Sequence, residues 1–548
     1  MGWKNKYNWI DGFLSKYRHF ILLYVSIELI GIGLGLGFVW FSKESIDEAI
    51  TVHKEELWST LTLVVFCLLG NIVSTIYSSW LSERYKIKML NNLQSNLKDK
   101  MMQWEWRSIY EYHTGDLYSR FKTDSEEVIQ FLGLNLWQGI INIVRCISAA
   151  AFLFVFDPML AISILIITPI LLVSKFYYKK IRNLTYKLRE NEGEVAQITQ
   201  DNLRMRFPIR ALHLLENRMN HFNEALTNNV GIKLDLLAYS TFSKSILFTV
   251  LNVGFLLTFI WGVWSLSIGT ISFGVLTAYL QLLARIQSPA IALISIIPVF
   301  IRFNTSLSRI LEIDKLPLEN STTQYRLSTI EGILLDNVCF AYTKQALLKN
   351  LNLNFKKGQA TALIGKSGQG KSTLLKIISS QIDPGSGSIW INSGNELIQS
   401  SINYRINFTY VSQDDQLFRG SILENLKAAN FNSSIGDIHK VLRITCSEFV
   451  YLLPNGLETI VGESGLGLSE GQMQRLIIAR AILRESSVWL FDEITSALDP
   501  DTSRQVIENL LNEGSDKIVL FATHDQLVID HCDQVIALER NSNVDVAV

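Results

Sequence analysis

Apolar positions follow two regimes along this chain. Up to about residue 316 they gather in long runs, at 20–41, 57–77, 131–156, 159–176, 246–266 and 273–303, and beyond it they come in short blocks between polar turns. A bilayer core needs about 20 apolar residues in helical form, so the first regime predicts six membrane-spanning helices. Buried helices of a soluble protein are the competing reading, and so many long runs in one half of a chain argue against it. In the second regime 333–340 alternates with a period of two, 360–364 and 488–491 are apolar throughout, and 374–378 has helical spacing. That mixture belongs to an α/β domain. The change falls at Leu316-Pro317-Leu318, which divides a membrane part, 1–316, from a polar part, 317–548.

Charge gives the membrane part an orientation. The loop after the first run holds Lys43 and Lys54 against Glu44, Asp47, Glu48, Glu55 and Glu56, whereas the stretch after the fourth holds Lys175, Lys179, Lys180, Arg182, Lys187 and Arg189. Positively charged loops stay in the cytoplasm, so the first loop is expected outside, the second inside, and an even number of spans leaves both termini in the cytoplasm of a cell's inner membrane. Met1 to Arg18 carries four basic residues, and no small-residue cleavage site follows the next run, which argues against a removable signal peptide. The outer links are short; the inner ones, about 81–127 and 179–244, are long, polar and helix-permissive. The spans are therefore expected to continue as helices past the bilayer and to turn near 106–114 and 202–208, where Gly115, Asp116 and Pro208 interrupt the pattern.

Composition fits this division. The chain is 48% apolar with a mean hydropathy of +0.21 while 18% of its 548 residues are charged. Its net charge of −1 gives no argument for nucleic acid, whose binding needs a concentrated basic face. Five cysteines, scattered without C-x-x-C spacing, predict buried, reduced thiols rather than a disulfide framework or a zinc site. Inside the apolar runs stand Glu28, Arg145 and Arg285, accompanied by Asn142, Gln281 and Gln287. Ionisable groups in hydrocarbon are expensive, so these six are the candidates to line a substrate cavity, the alternative being a structural pair between Glu28 and one arginine. Gly31, Gly33, Gly35 and Gly37 permit close helix packing or kinks.

The polar part carries the chemistry. Gly365, Lys366, Ser367, Gly368, Gln369, Gly370, Lys371, Ser372 and Thr373 fit the phosphate-binding loop G-x-x-x-x-G-K-[ST], between an apolar strand and a helix. Glycines let successive N–H groups and the helix start point at one anion; Lys371 then reaches the β- and γ-phosphates and Ser372 offers a hydroxyl to Mg²⁺. Tyr342, some two dozen residues upstream, can stack on a nucleobase. Gln413 ends a strand, Tyr410-Val411, with an amide that can coordinate Mg²⁺ or hold a water. At 462–472 small residues before a helix make a second anion-binding start, one more than a single nucleotide needs. The strand through Phe491 ends in Asp492, able to hold Mg²⁺ through water, and Glu493, able to polarise the attacking water. His524, after another apolar strand, can donate to a γ-phosphate.

In this order the motifs resemble those of the ATP-binding cassette (ABC) exporters, half-transporters with one membrane domain fused to one nucleotide-binding domain, and the resemblance covers nearly the whole chain. It implies a membrane α-helical domain of six spans joined to an α/β P-loop NTPase domain. It also implies ATP and Mg²⁺ as ligands, with Leu468, Ser469, Glu470, Gly471 and Gln472 as the signature and Ser496 to Asp499 as the D-loop. Less specifically, Thr114-Gly115-Asp116-Leu117 with Ser119-Arg120 resembles the first intracellular loop of such exporters, which carries a coupling-helix role onto 106–113. Glu470 departs from the usual L-S-G-G-Q. The family logic pairs two cassettes head to tail, and since every catalytic position is filled, a homodimer is expected. The implied activity is ATP-driven export of a peptide or amphipathic small molecule across the bilayer. A lipid or lipid-linked glycan flippase is the alternative and a catalytically modulated channel the remoter one; the absence of an N-terminal Cys/His peptidase segment argues against a leader-cleaving peptide exporter.

Overall fold

A computed structural model of the chain describes residues 3–51, 54–109, 112, 114–156, 174–319, 323–342, 345–394, 396–462, 467–538 and 546–547. These form two compact units, one of Met1–Gln103 with Tyr112–Leu316 and one of Trp104–Glu111 with Pro317–Val548. The sequence reading gave 104–111 to the first unit; in the structure it packs with the second. Trp104 is buried and bridges to Leu318, the Glu105 N–H donates to the Pro317 carbonyl at 3.1 Å, and Trp106 packs on the second unit's core.

The first unit is helical. Among the described residues four helices are long and apolar enough to cross a bilayer, Arg18–Ile50, Glu56–Gln103, Thr114–Val155 and Phe273–Asp314, and Asn252–Ser267 is a shorter apolar stretch. The run at 159–176 lies almost wholly outside the described residues. Lys54–Gln103 has 50 residues and Leu215–Ser267 has 53, about 75 Å or more at 1.5 Å per residue against a hydrocarbon core of about 30 Å. These helices therefore extend far beyond their apolar stretches. There the binding is ionic: Arg120 pairs with Asp116 at 2.8 Å and with Glu312 at 2.9 Å, Arg309 with Asp116 at 2.5 Å, and Lys100 with Asp314 at 2.5 Å.

Three details of the helices differ from expectation. Gly115 and Asp116 do not interrupt a helix; they occupy the first turn of a new one at Thr114–Ser119, after a short helix at Trp106–Ile109. Pro208 likewise sits inside the short helix Arg206–Ala211, the break falling at Met205, where the fixed proline φ suits a helix start. The third apolar run is not a plain α-helix either, since π turns at Arg120–Asp124 and Phe131–Asn135 precede Leu136–Phe156. A π turn inserts one residue into the ladder, which hydropathy cannot reveal. The described cysteines are free, as expected, but only Cys67 is fully buried.

The second unit is α/β. An antiparallel sheet has the order β2-β1-β4-β5, formed by Gly332–Phe340 (β1), Leu348–Lys356 (β2), Ser386–Ser393 (β4) and Glu396–Gln399 (β5). The central sheet has the order β12-β11-β3-β10-β9-β6, with Ala360–Ile364 (β3), Phe408–Val411 (β6), Val488–Asp492 (β9), Ile518–Ala522 (β10), Gln534–Ala537 (β11) and Val546–Ala547 (β12), while Gly420–Ser421 (β7) and Ile460–Val461 (β8) form a separate antiparallel pair. β11, β3, β10, β9 and β6 run parallel. Every residue of β9 and β10 is buried, the near-continuous apolar run that a parallel sheet covered on both faces demands. Helix Lys371–Ile378 contributes Leu374, Leu375, Ile377 and Ile378 to one core, and helix Glu470–Ile482 contributes Leu476, Ile477 and Ile478 to the other.

Candidate functional site

In an open parallel sheet the ligand crevice lies beyond the carboxyl ends of the strands. The order β3-β10-β9-β6 therefore sets four chain segments side by side: Gly365–Thr373 after β3, Thr523-His524 after β10, Asp492-Glu493 at the end of β9, and Gln413 after β6.

The loop after β3 has the conformation its glycines permit. Gly365, Gly368 and Gly370 have φ of 148°, 80° and 97°, angles side chains rarely adopt. A Cβ at Gly365 would lie 2.7 Å from the Leu538 carbonyl oxygen and one at Gly370 2.8 Å from Leu348 Cδ2, whereas one at Gly368 meets open space. Gly370 caps helix Lys371–Ile378, so that helix start faces the loop. Lys371 is buried, 6% exposed, and donates to the Gly365 carbonyl at 2.6 Å and to His524 Nε2 at 2.8 Å. Burial lowers its pKa, against the pull of Glu493 and Asp492.

Across the loop stand the carboxylates. Asp492 is buried; desolvation raises its pKa, against hydrogen bonds from Ser372 and from Tyr410, whose hydroxyl lies 3.2 Å from Oδ2. Glu493 accepts from Gln413 Nε2 at 2.9 Å and lies 3.9 Å from His524 Nε2. Its φ is +50°, a strained value for a residue with a side chain. The strain is held in place by its N–H to the Ala522 carbonyl at 2.9 Å and by Gln474, whose amide donates to its carbonyl at 3.2 Å. A buried ammonium near a buried carboxylate, both short of solvation, suits a charged ligand. Ser372 and Asp492 present neighbouring hard oxygens, the donor type that Mg²⁺ takes, so the residues present fit the ion.

Tyr342 is 39% exposed, bonded through its hydroxyl to Thr373 at 3.2 Å and packed edge-on against Phe340. Trp106 lies beside it, the ring centroids 6.1 Å apart. The base-stacking candidate is thus tied directly to the phosphate loop.

The second anion-binding start is a separate place. Ser469 caps helix Glu470–Ile482 in a capping box with Gln472, and Glu470 is exposed in the first turn. A Cβ at Gly471 would come within 2.6 Å of the Ala497 carbonyl oxygen. Gln474 accepts from the Ala497 N–H at 3.2 Å, while Asp499 caps helix Pro500–Glu513. Among the described residues no hydrogen bond joins Leu468–Gln472 to the phosphate loop; residues 463–466 lie outside them. Gln474 was not legible from motifs: its side chain links Glu493 to Ala497, a role visible only once β9 and the helix are packed together.

In the first unit a cavity of about 510 Å³ is lined by Glu28, Arg145, Gln281 and Arg285, four of the six candidates. Arg145 Nη2 lies 2.5 Å from Glu28 Oε2. Asn142 and Gln287 are not among its lining: Asn142 stands one turn before Arg145 on the same face of its helix, and Gln287 falls off the face that runs through Gln281, Ala284, Arg285 and Ser288.

The fold and site together define a class: a P-loop ATPase joined to a membrane-spanning helical domain. Residues 21–290 match the family described as "ABC transporter transmembrane region" and 348–496 the family described as "ABC transporter", covering most of the chain. The chain belongs to the ATP-binding cassette transporters, exporters that couple ATP hydrolysis to transport. It is 29% identical over 537 residues to the ABC transporter B family member 1 of Dictyostelium discoideum, an alignment that covers 96% of this chain and 59% of that protein. With a Staphylococcus aureus protein provisionally named a multidrug export ATP-binding/permease protein it shares 25% identity over 554 residues, 97% of this chain and 95% of the relative. A solved structure of a bacterial Atm1-family ABC exporter with ATP bound superimposes with a TM-score of 0.81 at 19% identity, covering 95% of this chain and 94% of that one, which shows the fold.

Proposed function

We propose that two copies of this chain form an exporter in the cytoplasmic membrane, with termini and cassettes in the cytoplasm. Each ATP lies between the phosphate loop of one copy and Ser469 with Gly471 of the other. The observation that carries this reading is the convergence of Lys371, His524, Glu493, Asp492 and Gln413 on one crevice, while the second anion-binding start points to a nucleotide held elsewhere in the assembly.

In this mechanism Tyr342 stacks on the base, the N–H groups of 365–373 cradle the phosphates, and Lys371 leaves the Gly365 carbonyl and His524 to neutralise the β- and γ-phosphates. Ser372, Asp492 and Gln413 would hold Mg²⁺, which would supply positive charge to the transferring phosphoryl group. Glu493 orients and polarises the attacking water, with Gln413 fixing its carboxylate, and His524 donates to the γ-phosphate once Lys371 has turned away. ATP binding closes the two cassettes and turns the membrane cavity outward; hydrolysis and release reset it. The cargo is a peptide or amphipathic small molecule, which a cavity of about 510 Å³ per chain fits.

The test is hydrolysis by the purified chain in a defined bilayer. Glu493→Gln keeps the cradle and removes the polarising charge, so ATP binding should persist while turnover falls by about 10²-fold or more. Near wild-type turnover in that variant would remove Glu493 from the role and take the mechanism with it.

A further inference from the structure

The cavity between the helices is not electrically neutral. Its carboxylate, Glu28, is spent on Arg145, and Arg285 has no carboxylate partner among the described residues, so the lining carries one uncompensated positive charge. The guanidinium has a built place. A Cβ added at Gly35 would collide with Arg285 Nη1 and lie 3.1 Å from Asn71 Nδ2, so glycine at 35 leaves the room in which Arg285 lies against the first long helix. Around it the wall is mixed, polar at Asn71, Gln281 and Ser288 and apolar at Leu36, Phe38 and Pro289. Retaining an unpaired guanidinium at bilayer depth is costly. A planar donor fork of this kind suits a carboxylate or phosphate.

Resting on the export reading above, we propose that the cargo of this chain is a compact amphiphile bearing an anionic group, a carboxylate or a phosphate, received by Arg285, with its apolar body against Leu36, Phe38 and Pro289. Arg145, held by Glu28, adds positive potential without being free to engage. Gly35 is the positioning residue that lets the guanidinium reach the cavity.

The test uses the full chain in lipid nanodiscs and fluorescence anisotropy of three probes, N-dansyl-leucine, N-dansyl-phosphoethanolamine and the neutral N-dansyl-leucinamide, corrected for uptake by empty nanodiscs. At least one anionic probe should bind saturably and more tightly than the amide. Arg285→Gln should weaken that binding by ~10-fold or more, with Arg285→Lys recovering much of it. Preference between carboxylate and phosphate identifies the source. Glu28→Gln releases Arg145 and should tighten anion binding, an arm that stands even if Arg285→Gln does not assemble. Equal binding of the amide, indifference of the anionic probes to Arg285→Gln, or weakened binding in Glu28→Gln overturns the inference. ATP hydrolysis by the same wild-type nanodiscs separates the two readings: a preparation that hydrolyses ATP and ignores charge sinks only this inference, while one that neither binds nor hydrolyses ATP sinks the exporter reading itself.

Discussion

Replacing Lys371 with alanine isolates what the phosphate loop contributes. In the structure this ammonium is 6% exposed and held by the Gly365 carbonyl at 2.6 Å and His524 at 2.8 Å. Both are partners that a more strongly attracting anion can displace. With ATP bound the same group meets the charge of the β- and γ-phosphates, and hydrogen bonds to charged groups contribute about 1.5–3 kcal/mol each. Losing one such contact corresponds to a ~10- to ~150-fold weaker affinity. The variant also removes the countercharge facing Asp492 and Glu493, both of which raise the lysine's pKa against the desolvation that lowers it. The upper half of that range is therefore expected. Calorimetric titration of ATP, with Glu493→Gln in both proteins to stop turnover, reads the change directly. Lys371→Arg keeps the charge but cannot fit beneath the Gly365 carbonyl unchanged, so it should fall between parent and alanine. If Lys371→Ala binds ATP within about threefold of its parent, the charge is not where the phosphates go, and the assignment of 365–373 fails.

Three further outcomes follow from single contacts. Tyr342→Ala should weaken ATP binding by about 1–3 kcal/mol, the value of one base on one aromatic face; binding unaltered in a nucleotide titration would remove Tyr342 from the base site. Gly471→Ala drives a Cβ to 2.6 Å from the backbone oxygen of Ala497, an overpacking that cannot relax through a side chain. It should lower the unfolding midpoint of the cassette, by about 1–3 kcal/mol of stability, and reduce hydrolysis; a midpoint and rate equal to wild type would contradict the packing. Gln474→Ala cuts the link from the Glu493 carbonyl to the Ala497 N–H, and should lower kcat several-fold with little change in nucleotide affinity, which steady-state kinetics beside a binding titration will separate.

Much of the nucleotide site was legible in the sequence because its parts are local. A strand, a glycine loop and a helix fit within 360–378, and the apolar blocks before Asp492 and His524 announce buried strands that end in polar groups. What the sequence could not supply is adjacency. Nothing in the spacing of Gln413, Glu493 and His524 says that β6, β9 and β10 lie next to one another, and the short contacts among those side chains depend on that order. The same holds for Gln474 and for Trp106, whose place beside Tyr342 comes from a segment that hydropathy assigned to the other unit. In the membrane part the intramembrane charges were identifiable by their cost alone, and so was a pair between Glu28 and an arginine, but not which arginine. Helix phase decides that Arg145 meets Glu28 and that Gln287 stays out of the cavity, and π turns at 120–124 and 131–135 reset that phase without a trace in composition.

The central claim is that two copies share each ATP, Lys371 from one and Ser469 from the other, and mixing two inactive variants tests it most directly. Lys371→Ala and Ser469→Arg should each be inactive alone. Co-expressed and purified without selection, the mixed dimers that form have one crevice with both residues replaced and one with both intact. Random pairing with independent sites then restores roughly a quarter of wild-type ATP hydrolysis. Recovery of that order, absent when the two proteins are purified apart and assayed together without exchange, is the predicted result. Hydrolysis that never exceeds the sum of the two parents would contradict the shared site, since a site complete within one chain gains nothing from a partner defective in a different residue.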